Sequence, residues 1–378
     1  MMAGRNDRAA AGWRHPQERI RLDLLPAPVL AVCGWSGSGK TTLLEAAIPR
    51  LAARGLKVAV VKHDAHGIQV DREGKDSDRL FRAGATVVLR APEESFARLA
   101  ASPEATLAHC LWSLAKAHDL LLVEGHKDTP LPKVWLVHRQ GTPAPEKIQP
   151  VLATLPWGGE RLDPFLHLAE ECVQRHFAAR PVLGGVLVGG ASSRMGRPKH
   201  LAKVGGQTLL QRACHALAPH ALEVVLLGRA EGAARRPWLP DVPGIHGPLA
   251  GMLSALRWHP CAAWLIAACD MPNLDADALA WVLAQRRPGR WAVIPADPDG
   301  RLEPLAAVWE PQAAPLLNDL VLHGQAAPRL AARHAKVATP PLPAELRGAF
   351  RNVNTPGDLA ALRRSRRRGD AQPPVSCR

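Results

Sequence analysis

The chain has 378 residues and a formal net charge of +14, and 47% of its residues are hydrophobic. This length predicts two domains, each with enough apolar residues for its own core. No run approaches the ~20 uninterrupted apolar residues that span a bilayer, which predicts no membrane partner. Residues 1–21 are rich in arginine but lack the apolar core of a secretory signal, so we expect a cytoplasmic protein.

Much of the basic charge lies at the two ends of the chain. Segments 1–27 and 363–378 are predicted to be a basic disordered head and a basic disordered tail, because charge runs of this kind are usually solvated. A strongly basic chain can bind nucleic acid, but anionic small substrates account for the remaining charge, and no nucleic-acid partner is predicted. The seven cysteines are scattered without a C-x-x-C pair, as expected of reduced thiols rather than of a zinc or redox site.

A phosphate-binding loop follows the head. Residues 28–33 predict a short buried strand, residues 34–41 (GWSGSGKT) match the pattern G-x-x-x-x-G-K-S/T, and residues 42–47 begin a helix. In this arrangement backbone N–H groups surround the phosphates, the lysine reaches the outer ones and the final hydroxyl can bind Mg²⁺. The predicted nucleotide-binding residues are Gly34, Gly37, Ser38, Gly39, Lys40, Thr41 and Thr42, with Thr41 also a metal ligand.

Two further strands are predicted to end at this nucleotide site. Strand 57–61 leads to His63 and His66, which could share a metal, but no third ligand stands at a clear spacing, and this favours polar contacts with the substrate. Strand 119–123 ends at Glu124, in the place of the acid that holds magnesium or its water in P-loop proteins. The alternative is that Glu124 only caps the strand.

The rest of the first half predicts fewer regular elements. Residues 71–85 are too charged for a core and predict a loop and helix over the nucleotide, before a strand at 86–89. Prolines and glycines between 143 and 159 are predicted to interrupt any regular element, and residues 164–177 predict a closing amphipathic helix. The domain boundary is predicted at Arg180-Pro181.

Four segments of this half carry a family resemblance. GWSGSGKTT, KHDAH, GKDSDR with RAGA, and LLLVEGHK resemble the molybdopterin-guanine dinucleotide biosynthesis adapter, a P-loop GTP-binding family, over residues 28–151. The resemblance implies that domain 28–179 binds GTP, has at most weak GTPase activity, and assists the synthesis or delivery of a cofactor.

A second, different phosphate loop opens the other half. The apolar run 186–188 stops at Gly189-Gly190, and the cations Arg194, Arg197 and Lys199 follow. Backbone N–H groups in a glycine turn, together with nearby cations, favour a phosphate ligand. The spacing matches neither G-x-G-x-x-G nor the P-loop pattern, and the alternative is a structural turn with solvated basic residues.

Downstream of this loop, a strand at 264–269 ends at Asp270, in Cys-Asp-Met-Pro. A carboxylate at the carboxyl end of a strand is well placed to hold Mg²⁺ on nucleotide phosphates, although Asp270 could instead be a turn or N-cap residue. Thr355 and Pro356 predict the N-cap and first turn of a last helix.

Residues 181–362 resemble the molybdenum cofactor guanylyltransferase family in G-G-x-S-x-R-M-G, P-K-x-L, G-P-L-A-G, C-D-x-P and N-V-N-T-P. The resemblance implies that Arg194, Lys199 and Asp270 are catalytic and that Asp270 binds the metal, as Thr41 and Glu124 would in the first half. It implies GTP binding by Leu187, Val188, Gly189, Gly190, Lys199, Asp241 and Asp270. It places Arg301, Asn352 and Asn354 on the side of the acceptor.

The predicted fold class is α/β, with two three-layer αβα domains built on mainly parallel sheets. The first, 28–179, is P-loop NTPase-like, and the second, 180–362, is a Rossmann-like nucleotidyltransferase. By resemblance, the chain transfers GMP from GTP to molybdenum-molybdopterin with Mg²⁺ as cofactor and releases pyrophosphate.

Two alternative activities stay open. One is a molybdenum cofactor cytidylyltransferase, a family that has L-A-A-G where this chain has Leu187 to Gly190, and the other is a sugar-phosphate nucleotidyltransferase fused to a P-loop kinase. The expected partners are molybdopterin-loading proteins and molybdoenzymes with their chaperones, and an oligomer is possible.

Overall fold

The computed structural model describes residues 20–62, 71–100, 106–189, 198–228 and 236–369, with the side chains of 365–369 left out. Two αβα units follow one another along the chain, each with helices on both faces of one main sheet. The predicted fold class is therefore confirmed. Within the described ranges, no helix is long and apolar enough to cross a membrane.

In the described residues of the first unit there are seven strands and four α-helices. In chain order they are β1 (Val29–Gly34), α1 (Lys40–Ala53), β2 (Val58–Lys62), α2 (Asp76–Arg82), β3 (Val87–Arg90), β4 (Ser95–Arg98), α3 (Leu107–Ala115), β5 (Leu120–Glu124), β6 (Lys133–Leu136), β7 (Val151–Leu155) and α4 (Leu162–Ala179). The main sheet has the order β2-β5-β1-β6-β7, and all its strands are parallel.

Alternate residues of the central strands are buried on opposite faces of this sheet. Leu30 and Val32 of β1 pack with α1 and α4, whereas Ala31 and Cys33 pack with α3. Parallel strands that are buried on both faces are apolar throughout, which explains the continuous apolar runs of β1 and β5. Their carboxyl ends meet at one edge of the sheet.

For the first unit, one prediction was incomplete and another was wrong. The strand expected at 86–89 is β3, but it pairs antiparallel with β4 in a separate two-stranded ribbon, and this ribbon was not predicted. The proline-rich stretch contains β7, which lies between Pro150 and Pro156 and pairs parallel with β6. The prolines flank this strand, and the Pro150 carbonyl still accepts a hydrogen bond from the N–H of Lys133 at 3.2 Å, so they delimit the strand rather than exclude it.

The described part of the second unit has nine strands and five α-helices. In chain order they are β8 (Val182–Val188), β9 (Lys203–Val204), β10 (Gln207–Thr208), α5 (Leu209–Leu217), β11 (Val224–Gly228), β12 (Trp238–Leu239), α6 (Pro248–Trp258), β13 (Ala263–Ala268), α7 (Ala276–Ala284), β14 (Ala292–Val293), β15 (Ala306–Trp309), α8 (Ala313–Leu322), β16 (Val337–Ala338) and α9 (Pro356–Gly369).

The seven-stranded sheet of this unit has the order β12-β11-β8-β13-β15-β14-β16. Only β15 runs antiparallel to its neighbours. Helices α5 and α7 cover one face, and α6 and α8 cover the other. The short β9-β10 hairpin leads into α5, where Thr208 caps the helix by accepting a hydrogen bond from the N–H of Gln211 at 3.1 Å.

Both predicted disordered ends are partly ordered. Leu25 and Ala27 are buried in the core beside α3, so the head prediction fails for residues 20–27. Helix α9 continues to Gly369, so the tail prediction fails for 363–369. Arg363 holds this helix by donating to the Lys203 carbonyl at 2.7 and 3.0 Å. Residues 1–19 and 370–378 lie outside the described ranges.

Candidate functional site

The loop between β1 and α1 has the backbone conformation that its glycines allow. Gly34, Gly37 and Gly39 have φ values of +152°, +73° and +86°, a region that other residues rarely adopt. A Cβ on Gly34 would come within 2.6 Å of the Leu136 carbonyl. The loop backbone therefore packs directly against the end of β6, at the carboxyl edge of the first sheet.

Two side chains of this loop contact the loop backbone and the end of β5. Lys40 Nζ donates to the carbonyls of Gly34 at 3.2 Å and Trp35 at 3.0 Å, so the lysine lies over its own loop. Thr41 Oγ1 donates to Glu124 Oε1 at 2.9 Å. Because β5 and β1 are parallel neighbours, Glu124 at the end of β5 reaches the start of α1.

Two cations lie near the loop, and the sequence analysis missed one of them, Arg161. Lys62 Nζ, at the end of β2, lies 3.8 Å from Glu124 Oε1. Arg161, just before α4, donates to the carbonyls of Ser38 at 2.7 Å and Val137 at 2.6 Å, and through Nε to the carbonyl that follows β7. Arg161 thus ties the P-loop to two neighbouring strand ends, but a single arginine before a helix matches no motif.

The chemistry of Thr41 and Glu124 fits a magnesium ion. A hydroxyl and a carboxylate are oxygen donors of the kind Mg²⁺ prefers, and few protein ligands are needed because phosphates and water complete its shell. Among the described residues, no group of three or more His, Cys, Asp and Glu side chains could hold a metal by itself. His63 and His66 lie outside the described residues.

The second candidate site lies at the carboxyl edge of the second sheet. Leu187 and Val188 form the end of β8, and Gly189 follows with φ +117°. Gly190 and Arg194 fall in 190–197, outside the described residues.

Lys199 joins three segments at this edge. Its Nζ donates to Asn354 Oδ1 at 3.0 Å and to Asp270 Oδ2 at 3.4 Å. The backbone N–H of Val353 donates to the Asp270 carbonyl at 2.8 Å, which fixes the N-V-N-T-P segment beside the end of β13. Lys199 therefore forms one cluster with Asp270 and Asn354, which lie 71 and 155 positions further along the chain.

The predicted cap of the last helix explains how Asn354 is held. Thr355 Oγ1 accepts a hydrogen bond from the N–H of Asp358 at 3.1 Å, which confirms the N-cap. The Asp358 carboxylate accepts the N–H groups of Asn354 and Thr355 at 3.0 and 2.9 Å. These backbone hydrogen bonds lower the pKa of Asp358. Asn352 is exposed on the same segment.

Asp241 lies beside the end of β11, next to β8 in the sheet. Its Oδ1 is 3.4 Å from the position that a Cβ would take on either Gly228 or Gly251. A Cβ on Gly228, where φ is +101°, would also come within 2.3 Å of the Val188 carbonyl. Glycine at position 228 therefore lets this backbone approach the end of β8 closely, and the Asp241 carboxylate lies beside it.

Arg301 contacts two acidic residues of its own turn, between β14 and β15. Its guanidinium lies 3.0 Å from Glu303 Oε1 and 3.7 Å from Asp297 Oδ2. The Glu303 side chain is only 6% exposed, and burial raises its pKa, with Arg301 acting in the opposite direction and Asp297 and Asp270 adding to the rise. In the sequence, Glu303 belongs to the same polar turn as Arg301.

This turn stands at the same sheet edge as Lys199 and Asp270. The Ala268 N–H donates to the Leu305 carbonyl at 2.8 Å, which places the start of β15 beside the end of β13. The residues predicted on the acceptor side therefore divide between this turn and the 352–354 segment.

Fold and sites together define a P-loop nucleotide-binding unit followed by a Rossmann-like nucleotidyltransferase unit. Residues 29–155 match the family described as molybdopterin guanine dinucleotide synthesis protein B, and residues 184–337 match the MobA-like NTP transferase domain. The chain belongs to both families, the first through its N-terminal half and the second through its C-terminal half. The family assignment predicted from the sequence is thus confirmed.

Individual relatives cover each half separately. The molybdopterin-guanine dinucleotide biosynthesis adapter protein of Haemophilus influenzae is 46% identical over 130 residues, which are 33% of this chain and 72% of the relative. The probable molybdenum cofactor guanylyltransferase of Deinococcus radiodurans is 35% identical over 188 residues, 48% of this chain and 94% of the relative. The crystal structure of molybdopterin-guanine dinucleotide biosynthesis protein A from Archaeoglobus fulgidus is 26% identical, with a TM-score of 0.43, and covers 49% of this chain and 99% of its own.

Proposed function

We propose that the C-terminal unit transfers GMP from GTP to molybdenum-molybdopterin, giving molybdopterin guanine dinucleotide and pyrophosphate. The observation that carries this proposal is the cluster of Lys199, Asp270 and Asn354 at the carboxyl edge of the second sheet. Ligands of open α/β sheets bind at this edge. The guanylyltransferase relatives, which the chain covers almost in full, support the same reaction.

The reaction needs alignment and charge neutralisation rather than a strong base. A phosphate oxygen of the acceptor forms a new bond to the α-phosphorus of GTP, and the bond from that phosphorus to the bridging oxygen breaks as pyrophosphate leaves. A phosphate monoester is already anionic at neutral pH, so it can attack without giving up a proton. Fixed cations that offset the developing charge then supply most of the catalysis.

The residues of this edge have matching roles. Gly189 with Gly190 receives the phosphates through backbone N–H groups, and Lys199 with Arg194 offsets their charge. Asp270 would hold a magnesium ion, which when bound neutralises phosphate oxygens. Asp270 now pairs with Lys199 at 3.4 Å, so the carboxylate and ammonium are within reach of the same phosphate group.

The nucleotide and acceptor would be held on either side of this centre. Leu187, Val188 and Asp241 face GTP, while Arg301, Asn352 and Asn354 face the anionic acceptor. The buried Glu303 supports the acceptor role of Arg301. Burying a carboxylate is costly unless it is paired with an opposite charge, and the described ion-pair partner of Glu303 is Arg301, whose side chain is 55% exposed.

The N-terminal unit binds GTP through residues 34–42, with Thr41 and Glu124 as magnesium ligands, and acts as the adapter in the same pathway. Supporting observations are the Thr41–Glu124 hydrogen bond and the adapter relatives. We place the protein in the cytoplasm and expect it to contact molybdopterin-loading proteins and molybdoenzymes with their chaperones.

Pyrophosphate release by the purified chain tests the transferase reaction. Molybdate-loaded molybdopterin and Mg²⁺ are supplied with either GTP or CTP. GTP-selective release is expected; CTP selectivity would assign the cytidylyl reaction, and turnover only with hexose 1-phosphates would assign the sugar-phosphate reaction.

Matched substitutions assign the chemistry to one half of the chain. Lys199→Ala and Asp270→Ala are each expected to lower the rate about 100-fold or more, the usual loss when a group that stabilises transition-state charge is removed. Lys203→Ala, at an exposed lysine four positions away, is the control and leaves the rate unchanged. Lys40→Ala is expected to spare pyrophosphate release. The reverse pattern would move the transferase reaction to the P-loop half.

A further inference from the structure

The two units are joined without a flexible linker. Helix α4 ends at Ala179 and β8 begins at Val182, so only Arg180 and Pro181 lie between them. Two residues span at most about 7 Å, and proline fixes its own φ. The short connection keeps the amino end of β8 close to the first unit.

A buried acid of the first unit is bonded mainly by the second. Asp119, which precedes β5, accepts hydrogen bonds from Trp291 Nε1 at 2.8 Å and Lys336 Nζ at 2.5 Å, and its side chain is 5% exposed. Lys336 Nζ also donates to the Gly55 carbonyl at 2.5 Å. A buried carboxylate is stable only when paired in this way, so the two units depend on each other at this point.

A second set of contacts lies beside the first. Arg180 donates to Glu310 Oε2 and to the Pro26 carbonyl, both at 2.6 Å. Gln312, which is buried, donates to the carbonyls of Pro26 at 2.8 Å and His118 at 3.4 Å. Arg180 of the junction and Gln312 of the second unit thus each reach backbone at the edge of the first.

Strand direction shows which edges meet. In the first unit, the contacting residues precede β1, β2 and β5, at the edge opposite to the P-loop. In the second unit, Arg180 precedes β8, Trp291 precedes β14, and Lys336 precedes β16, while Glu310 follows the antiparallel β15. All of these positions lie at the edge opposite to Lys199 and Asp270.

We propose that the two sheets are fixed amino edge to amino edge, so that the two nucleotide sites of one chain open at opposite ends of the molecule. Nucleotide bound at the P-loop then cannot serve as the GMP donor of the same chain without first leaving it. The P-loop edge is left facing outward, free for a separate ligand or partner.

The expected separation follows from strand length. Strands β1 and β8, with six and seven residues, run from the shared interface toward the two sites. At about 3.3 Å per residue each strand spans roughly 20 Å, so the sites are on the order of 40 Å apart.

The distance between two spin labels on the full chain, measured by pulsed electron paramagnetic resonance, tests this arrangement directly. Gln140, after β6, and Asp299, in the turn before β15, are both exposed and are replaced by p-acetylphenylalanine for spin labelling. One narrow distance population at about 40 Å or more is expected. A broad distribution, or a main distance below about 25 Å, would overturn the proposal.

Two glycines that face each other across the interface give a matched pair of variants. Gly289 (φ +78°) has the Gly55 carbonyl 2.7 Å from the position of a Cβ, whereas Gly55 (φ +83°) has nothing within 4 Å of its own. Both alanine variants carry the same left-handed strain, but only Gly289→Ala pushes the units apart. We expect Gly289→Ala to broaden the distance distribution and Gly55→Ala to leave it narrow.

Further measurements separate this result from misfolding and from the proposed reaction. Pyrophosphate release by Gly289→Ala should stay within about twofold of the parent, because distant sites act independently. If that variant does not fold, Lys336→Met, which removes the cation from Asp119, takes its place with the same expected broadening. An equally narrow distribution in the interface variant and in Gly55→Ala would refute the claim that these contacts fix the two sheets, whichever nucleotide either site binds.

Discussion

Replacing Glu303 by glutamine separates the effect of this buried charge on stability from its effect on binding of the acceptor. Glu303 Oε1 lies 3.0 Å from the Arg301 guanidinium, and the carboxylate side chain is 6% exposed. The substitution keeps the shape of the side chain but removes its charge. We expect Glu303→Gln to raise the KM for the molybdopterin acceptor, to leave the KM for GTP unchanged, and not to lower the free energy of unfolding at pH 7.

The size of the acceptor effect follows from the exposure of Arg301. Because the arginine side chain is 55% exposed, solvent screens the ion pair, and its contribution is about 1 kcal/mol or less. Without the ion pair, the Arg301 guanidinium can move away from its position beside the acceptor. A loss of about 1 kcal/mol in acceptor binding corresponds to a rise in the acceptor KM of about fivefold. Arg301→Ala removes the charge itself, and we expect about tenfold or more from the loss of a charge-assisted hydrogen bond.

The stability effect has the opposite sign from that of an ordinary ion pair. Burial raises the pKa of Glu303 in the folded chain, so the folded state binds a proton more tightly than the unfolded state does. The free energy of unfolding therefore falls as the pH rises from the unfolded pKa through the folded pKa. The glutamine variant lacks this decrease, and its stability should depend less on pH in that window.

Steady-state pyrophosphate release, with acceptor and GTP varied in turn, measures both KM values, and urea unfolding between pH 4 and 8 measures stability. Asp299→Asn, an exposed acid in the same turn, is the control and should change neither. A higher KM for GTP in Glu303→Gln, or an unchanged acceptor KM in Arg301→Ala, would refute the assignment of this turn to the acceptor.

Three other predictions concern the P-loop, the transferase edge and the thiols. Arg161→Ala removes three hydrogen bonds to backbone carbonyls, and we expect the free energy of unfolding in urea to fall by about 2–3 kcal/mol. Nucleotide binding at the P-loop, measured in a chain whose transferase site is disabled, should also weaken. Unchanged values would show that these hydrogen bonds are dispensable. Gly228→Ala places a Cβ 2.3 Å from a carbonyl of β8 and should abolish GMP transfer. Gly244→Ala, where φ is also positive but nothing lies within 4 Å of the Cβ position, should retain it. Equal rates in the two variants would contradict a close approach of Gly228 to the end of β8 as a requirement for transfer. Burial raises the pKa of Cys33 to about 11 and of Cys269 to about 12, so at pH 8 neither thiol should react with iodoacetamide before unfolding, and rapid labelling seen by mass spectrometry would disprove their burial.

Predictions from the sequence agree best with the structure where a motif and its hydrogen bonds involve residues close together in the chain. The P-loop pattern fixes the order of strand, loop and helix, because its glycines need positive φ and its lysine must reach back over the loop. Thr355 and Pro356 likewise specify a helix start within four residues. Such signals depend on neighbours in the chain and can be read without knowing the fold.

Errors arose where long-range pairing decided the outcome. β7 lies in a stretch whose prolines argue against regular structure, yet β6 supplies its partner strand. Helix α9 extends into the predicted tail because contact with Lys203 stabilises it. Local composition cannot report either contact.

The sequence by itself determined the fold class and the family, and it predicted the two phosphate loops and the separate parts of each site, since these depend on residue type and short spacing. Tertiary structure decided which distant groups meet: Lys199 with Asp270 and Asn354, Arg161 with the P-loop, and Asp119 with Trp291 and Lys336. It also decided that the amino edges of the two sheets meet. The physical reason is that buried charges select partners by position in space, and strand order, which no local pattern encodes, sets that position.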